Sequence, residues 1–249
     1  MDCNLEEINS HLEYKTTTEM LQWCYSFFEK KKITLSTSFG SEGMILLDML
    51  VRLGMEVKVF TIDTGRNFNE TYTIWQEVIE KYKITIDVYS PDPDDVSGLI
   101  KGKGPNLFYK DKSDRKACCY IRKVKPLKRA LAGTDIWMSG LRRNQSVDRH
   151  DIDILSFSEE YKVYKFCPLA KWSEANVWEY IRNNNVPYNK LYDLGYPTIG
   201  CQPCSRPVRP AEDIRSGRWW WEDGQVKECG IHFEDGKVVS KKDDLNWSI

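Results

Sequence analysis

Histidine is almost missing from this chain, with three residues in 249, so any metal chemistry has to lean on sulfur rather than imidazole. An excess of charge is missing too: 36 Lys and Arg stand against 37 Asp and Glu, a formal net charge of −1. Without a whole-molecule field, neither nucleic acid nor a membrane surface is an expected partner, and an anion site must be local. No apolar run approaches the roughly 20 residues that span a bilayer. Residues 1–15 lack both the basic and the apolar region of a secretory leader, which predicts a cytoplasmic protein with reduced thiols. There is no internal repeat or low-complexity tract, and the length suits one α/β domain with a sizeable core.

What the chain does have is a clear alternation of elements. Thr16 and Glu19 form a capping-box pattern that opens an amphipathic helix. A β-branched strand over 33–38 follows, then the loop Phe39-Gly-Ser-Glu-Gly43 and a helix apolar almost all round, as expected of one buried against a sheet. Further strands are predicted over 57–62, 84–88 and 136–139, with a helix over 68–82 and another over 173–183. Residues 90–95 and 101–116 read as loops, and 120–132 as a helix beginning near paired cysteines. This spacing predicts an α/β single domain whose mainly parallel sheet is flanked by helices, with ligands at the carboxyl ends of its strands. From Val186 onward, Pro187, Pro197, Pro203, Pro207 and Pro210 break every period. Trp219, Trp220 and Trp221 argue for order in that irregular segment. The division is therefore a body over 1–222 and a C-terminal tail over 223–249.

Four of the eight cysteines have the spacing of metal ligands. Cys201-Gln-Pro-Cys204 lets two thiolates converge on one ion or cluster. Cys118 and Cys119 are adjacent, so their side chains diverge by about 100° on a helix, which strains a single tetrahedral site. A cubane presents separate irons to divergent thiolates, and four cysteines complete its ligand set. Zinc at the site and a redox-active dithiol at 201–204 are the alternatives.

Cys229 lies in Lys227-Glu-Cys-Gly-Ile-His232, away from any apolar run. It reads as a reactive thiol, with Gly230 permitting close approach and His232 able to support a thiolate or a charge site. Arg206, Arg209, Arg215 and Arg218 follow the second cysteine pair, Arg122 and Lys123 follow the first, and Arg142, Arg143 and Arg149 follow the last strand. Such clustering predicts an anionic substrate carrying phosphate or sulfate.

Four segments together carry a resemblance: Cys118-Cys-Tyr-Ile-Arg-Lys-Val-Lys-Pro-Leu127, Gly200-Cys-Gln-Pro-Cys-Ser-Arg-Pro-Val208, Arg215-Ser-Gly-Arg-Trp-Trp-Trp-Glu222 and Glu228-Cys-Gly-Ile-His232. They resemble the assimilatory adenylylsulfate reductases, within the wider adenylylsulfate and phosphoadenylylsulfate reductase family. The resemblance implies an adenine-nucleotide α-hydrolase-like fold, a [4Fe–4S] cluster on Cys118, Cys119, Cys201 and Cys204, and thioredoxin as reductant. It implies that Cys229 is the nucleophile and that Lys123, Arg149, Arg215, Arg218 and His232 contact the anion. Ser38, Phe39, Gly40, Glu42, Ile62, Asp63 and Gly140 would line the adenosine pocket. The loop Ser38-Phe-Gly-Ser-Glu-Gly43 departs from the Ser-Gly-Ala-Glu-Asp type of many adenylylsulfate-specific members and looks nearer to enzymes of the 3′-phosphorylated substrate, phosphoadenylylsulfate. The cysteine quartet favours adenylylsulfate.

The expected reaction is attack by Cys229 on the sulfate sulfur, leaving an S-sulfocysteine that an external dithiol resolves. Two readings compete: an iron–sulfur tRNA thiolase, and a non-catalytic nucleotide- or zinc-binding module. Self-association into a homo-oligomer is left open by the residues.

Overall fold

The structure, a computed structural model, describes residues 4–29, 31–146 and 149–222. Helix α1 (Leu5–Leu12) is capped by the Asn4 side chain, and α2 (Thr17–Phe27) carries the expected capping box between Thr16 and Glu19. Strand β1 (Ile33–Ser36) leads into α3 (Ser41–Arg52), and β2 (Lys58–Ile62) into α4 (Asn69–Tyr82). Then follow β3 (Asp87–Tyr89), α5 (Pro93–Lys101), α6 (Lys112–Cys119) and a π-helical turn over Tyr120–Val124 that runs on into α7 (Lys125–Leu131). The fold is completed by β4 (Ile136–Met138), β5 (Leu155–Ser158), β6 (Val163–Phe166) and α8 (Glu174–Asn184).

The six strands form one sheet in the order β3-β2-β1-β4-β6-β5. Every pairing is parallel except that of β5 with β6. The chain runs outward from β1 to β3 and then returns to β4 on the other side of β1. That reversal is a topological switch, where an open α/β sheet leaves a crevice outside the strand ends. The mainly parallel α/β architecture expected from the sequence is thus present. Among the described residues no helix is long and apolar enough to cross a membrane.

Helix α3 is the centre of the packing, with Met44, Ile45, Leu46, Leu47 and Leu50 all at most 2 % exposed. One polar side chain shares this interior. Asp48 accepts hydrogen bonds from the Tyr82 hydroxyl at 2.9 Å, the Tyr180 hydroxyl at 2.8 Å and Arg52 Nε at 2.6 Å. The carboxylate therefore ties α3 to the end of α4 and to α8. Burial, together with the Asp48 charge and hydrogen bonds, pushes both phenols well above their ordinary pKa, so they remain donors.

Several expectations are corrected. The third strand starts later than predicted, at Asp87, because Lys83 in the left-handed conformation ends α4 and the register with Phe60 sets where pairing begins. Residues 90–95 are not all loop: Asp92 caps α5 by accepting from the Asp94 and Asp95 amides, with Pro93 at the first turn. Residues 101–116 likewise contain the start of α6, so Cys118 and Cys119 end one helix as well as preceding the expected one, which runs over 120–131. Helix α1 and the β5–β6 hairpin were not anticipated; the Asn9 side chain bridges them by bonding both backbone groups of Leu155 at 2.7 and 2.9 Å.

Where β4 ends, Gly140 lies directly on the first turn of α3. A β-carbon there would stand 2.7 Å from Glu42 Cβ, 3.0 Å from the Glu42 carbonyl carbon and 3.1 Å from Gly43 N. Two stability changes are expected, both readable in urea unfolding. Gly140→Ala should lower stability by about 1–3 kcal/mol, because backbone atoms have to shift to admit the methyl. Asp48→Ala should lower it by about 3 kcal/mol by leaving two interior phenols without their acceptor, with a smaller unfolding midpoint at unchanged denaturant slope.

Candidate active site

A cleft of about 280 Å³ opens at the carboxyl ends of β1, β2 and β4. One wall is the amino end of α3. Thr37 Oγ1 accepts from the Phe39 amide at 3.0 Å and so tightens the loop entering the helix. Behind it, Glu42 Oε1 accepts from Arg142 Nε and Gln145 Nε2, both at 2.8 Å, and Glu42 Oε2 accepts from Ser41 Oγ at 3.0 Å. Gln145 Oε1 in turn accepts from Arg149 Nη1. A carboxylate and an arginine in largely buried surroundings, 13 % and 8 % exposed at their side chains, thereby hold one another and orient a second arginine through an amide.

The opposite wall is cationic. Lys123 comes from the π-helical turn, and Arg215 and Arg218 come from the irregular C-terminal segment. Arg218 Nε donates to the Cys204 carbonyl at 3.1 Å. Its guanidinium lies 4.6 Å from the centre of the Trp219 ring, and that of Arg115 lies 4.4 Å from it. Gly200 packs against the Arg218 guanidinium so closely that a β-carbon there would force the guanidinium to shift. Arg115, itself 2 % exposed, is anchored to Glu222 through Nε at 2.6 Å and Nη2 at 3.0 Å.

The four cysteines meet beside this wall. Cys119, Cys201 and Cys204 belong to one buried cluster with Leu107, Phe108 and Trp219, and Cys118 packs against it. All four are free thiols, so 201 and 204 are not joined as a disulfide. The π-helical turn widens the helix just after the tandem pair, and Arg122 reaches back to donate to the Thr64 carbonyl at 2.7 Å. The Thr64 hydroxyl stands 3.3 Å from Cys201 Sγ. Burial raises the Cys118 thiol, Arg122 partly opposing it, and raises Cys204 to about 11, with Cys201 adding to the rise. Cys201 goes the other way: burial acts to raise it, but the Lys123 charge, the Thr64 hydrogen bond and the charges of Arg218 and Arg122 bring it below the ordinary value. Cys201 thus departs in the opposite direction from Cys118 and Cys204 because cations crowd it.

Among the described residues no three His, Cys, Asp or Glu side chains are arranged to hold a single metal ion. By the argument from sequence, an adjacent cysteine pair on a helix suits a multi-iron group better than a single tetrahedral zinc. Four sulfur donors in an apolar pocket, with cations alongside to offset thiolate charge, are chemically a fit for such a cluster.

Of the residues singled out in the sequence, Ser38, Gly40, Glu42, Ile62, Lys123, Gly140, Arg149, Cys201, Arg215 and Arg218 all line the cleft. Two do not. The Phe39 ring turns into the core at 1 % exposure and stacks on Trp75 at 5.3 Å, the backbone having taken a positive φ of 59° to allow it. The Asp63 carboxylate folds onto its own turn, accepting from the Gly65 amide at 2.9 Å, Asn67 Nδ2 at 3.2 Å and the Tyr72 hydroxyl at 2.9 Å. Cys229 and His232 lie outside the described residues. Thr64, Gln145 and Tyr192 were not foreseen. Thr64 sits inside Asp63-Thr-Gly65, a strand-end turn that marks a ligand loop; Gln145 and Tyr192 have no local signal.

The model of the phosphoadenosine phosphosulfate reductase domain matches residues 32–207. The adenosine 5′-phosphosulfate reductase of Allochromatium vinosum is 43 % identical over 204 residues, 82 % of this chain and 80 % of that protein. The enzyme of the same name from Pseudomonas aeruginosa is 43 % identical over 244 residues, 96 % of this chain and 89 % of its own. The crystal structure of a phosphoadenylyl-sulfate (PAPS) reductase from Candida auris superposes with a TM-score of 0.71 at 28 % identity, covering 84 % of this chain and 98 % of that one. Family match, sequence relatives and fold agree over most of the chain, which belongs to the phosphoadenosine phosphosulfate reductase family.

Proposed function

We propose that the protein is an adenylylsulfate reductase of assimilatory sulfate reduction, acting in the cytoplasm and releasing sulfite and AMP. The observation that carries this reading is the double position of Cys201: it lines the nucleotide cleft beside Lys123 and Arg218 and belongs to the four-cysteine cluster. A cleft at the switch of an α/β sheet, cationic on one wall, suits a nucleotide whose charge sits in a phosphosulfate group. The names of the relatives at 43 % identity point to the same substrate.

In this reading Cys118, Cys119, Cys201 and Cys204 hold a [4Fe–4S] cluster, which would supply a rigid, buried charge beside the cations of the cleft. Lys123, Arg149, Arg215 and Arg218 bind the phosphosulfate, stabilise charge on the bridging oxygen as its bond to sulfur breaks, and orient the sulfur for attack. The Cys229 thiolate forms a bond to that sulfur, and the electron pair of the sulfur–oxygen bond leaves on AMP. His232 stands three residues on to complete the charge site. A dithiol then attacks Cys229 Sγ; sulfite departs with the electron pair of the sulfur–sulfur bond. The dithiol closes to a disulfide, having supplied the two electrons that reduce sulfate to sulfite, and Cys229 regains its proton.

We read that dithiol as external, of the thioredoxin class, because no Cys-x-x-Cys partner accompanies Cys229; of the remaining cysteines, Cys3 lies outside the described residues. Cys24 and Cys167 are 0 % and 1 % exposed, and burial pushes the Cys24 thiol up to about 12 and raises that of Cys167, so neither is a ready nucleophile.

Incubating the protein with 35S-labelled adenylylsulfate and no reductant should leave label on the protein, discharged as sulfite by reduced thioredoxin; Cys229→Ser labelled as well as the parent would sink the nucleophile assignment. Lys123→Ala should lower kcat/KM for adenylylsulfate by about 10²-fold. Cys201→Ala should lose bound iron and visible absorbance together with turnover, and full turnover without iron would refute the cluster's role. Sulfite release should be faster from adenylylsulfate than from phosphoadenylylsulfate.

A further inference from the structure

Trp219 stands in a backbone conformation that a bulky side chain rarely adopts. Its φ is 43°, in the left-handed region, where a residue of this size is strained and persists only if its surroundings over-determine it. The ring is nonetheless buried, at 1 % exposure. The Trp219 amide donates to the Cys204 carbonyl at 3.4 Å, and its carbonyl accepts from the Glu222 amide at 2.9 Å. The strained residue therefore opens a turn that Glu222 closes.

Glu222 is itself held from outside that turn. Arg115 donates to its two carboxylate oxygens through Nε at 2.6 Å and Nη2 at 3.0 Å, and the same guanidinium lies over the Trp219 ring. One arginine, carried by α6, thus grips the first and the last residue of the turn. Burial acts to lower the Arg115 pKa, but the Glu222 hydrogen bonds and the charge of Cys119 bring it above the ordinary value, so the group keeps its full charge in the interior. Stability alone gives no reason for such a pair, because apolar side chains of similar volume stabilise a protein at least as well. Nor does Arg115 line the cleft.

What rests on the ring is Arg218. Its guanidinium lies 4.6 Å from the ring centre and packs against Gly200, and the residue lines the cleft while only 7 % exposed. A guanidinium stacks on an aromatic face at a set distance, so a change in the tilt of the Trp219 ring passes to Arg218. We propose that Arg115 is a positioning residue for Arg218: paired with Glu222, it holds Trp219 in its left-handed conformation, and the ring so held sets the Arg218 guanidinium in the cleft. The inference rests on the phosphosulfate reading of the cleft above and deepens it, since it gives one of the proposed anion contacts a support reaching back to α6.

Calorimetric titration with adenylylsulfate tests this through a double-mutant cycle, on the full chain carrying Cys229→Ser so that the bound ligand is not consumed. Arg115→Met together with Glu222→Gln removes both charges and should weaken binding about tenfold by displacing Arg218. In an Arg218→Ala background the same two changes should weaken it by less than about twofold, because the residue they act through is gone. Arg115→Lys keeps a charge but loses the fork that binds Glu222 and the flat face that stacks on Trp219; it should show the same coupling and serves if the paired variant does not fold. The proposal falls if the folded variant loses less than about twofold in affinity. It falls if the loss is as large without Arg218 as with it, since Arg115 would then act through the cysteines or the fold at large, and it falls if Arg218→Ala alone binds as tightly as the parent. Failure of the parent to bind adenylylsulfate would overturn the proposed function as well, whereas binding with no coupling would overturn this inference alone.

Discussion

The absence of a side chain at Gly140 is the constraint on which the site depends. It lets the end of β4 lie on the backbone of the first turn of α3, across the switch point where the chain reverses direction in the sheet. Bringing those two ends together sets the spacing between the β1–α3 loop and everything that follows β4. Glu42 can then reach Arg142 and Gln145, and through Gln145 the position of Arg149 is set as well. With a side chain at 140 the two walls would separate and this relay of hydrogen bonds would lose its geometry, since such bonds weaken steeply with distance and angle.

The cationic wall is assembled by a different device. Lys123 and Arg218 reach the cleft because the segments bearing them are bound to the cysteine cluster: Lys123 follows the tandem cysteines across the π-helical turn, and Arg218 bonds the Cys204 carbonyl. Trp219, buried at 1 % exposure and flanked by two guanidinium groups, acts as the plate on which this corner is built. The cations lower the Cys201 thiol, so closely grouped cations, which repel one another, lie against a sulfur whose ionised form they favour. The cysteine cluster and the cationic wall share Cys201, while at the α3 wall the Ser41 amide is satisfied by Tyr192 and Glu42 by Arg142.

The buried Arg115–Glu222 pair fixes the last described residue. A charge pair so desolvated is costly unless its geometry is good, and two hydrogen bonds between one guanidinium and one carboxylate meet that condition. It joins the helix that ends in Cys118 and Cys119 to the end of the tryptophan run Trp219–Trp221.

The sequence by itself determined the α/β alternation, the capping box at Thr16, the cysteine pairs and the clustering of arginines. These follow from local periodicity, from turn chemistry and from residue types whose chemistry is specific wherever they sit. Helix α5 was not among them: its acidic, proline-containing start reads as loop, although Asp92 and Pro93 prove to be its cap and first-turn residue. Only the tertiary structure decided which way side chains face and which distant groups meet. Phe39 and Asp63 stand in the right loops, but one ring prefers the core and one carboxylate prefers its own turn. Tyr192 lies 151 residues from the amide it caps, and Gln145 103 residues from the carboxylate it holds. No local pattern encodes such pairs, because what selects them is the need of each buried polar group for a partner, and the partner is known only once the sheet has brought the two segments together.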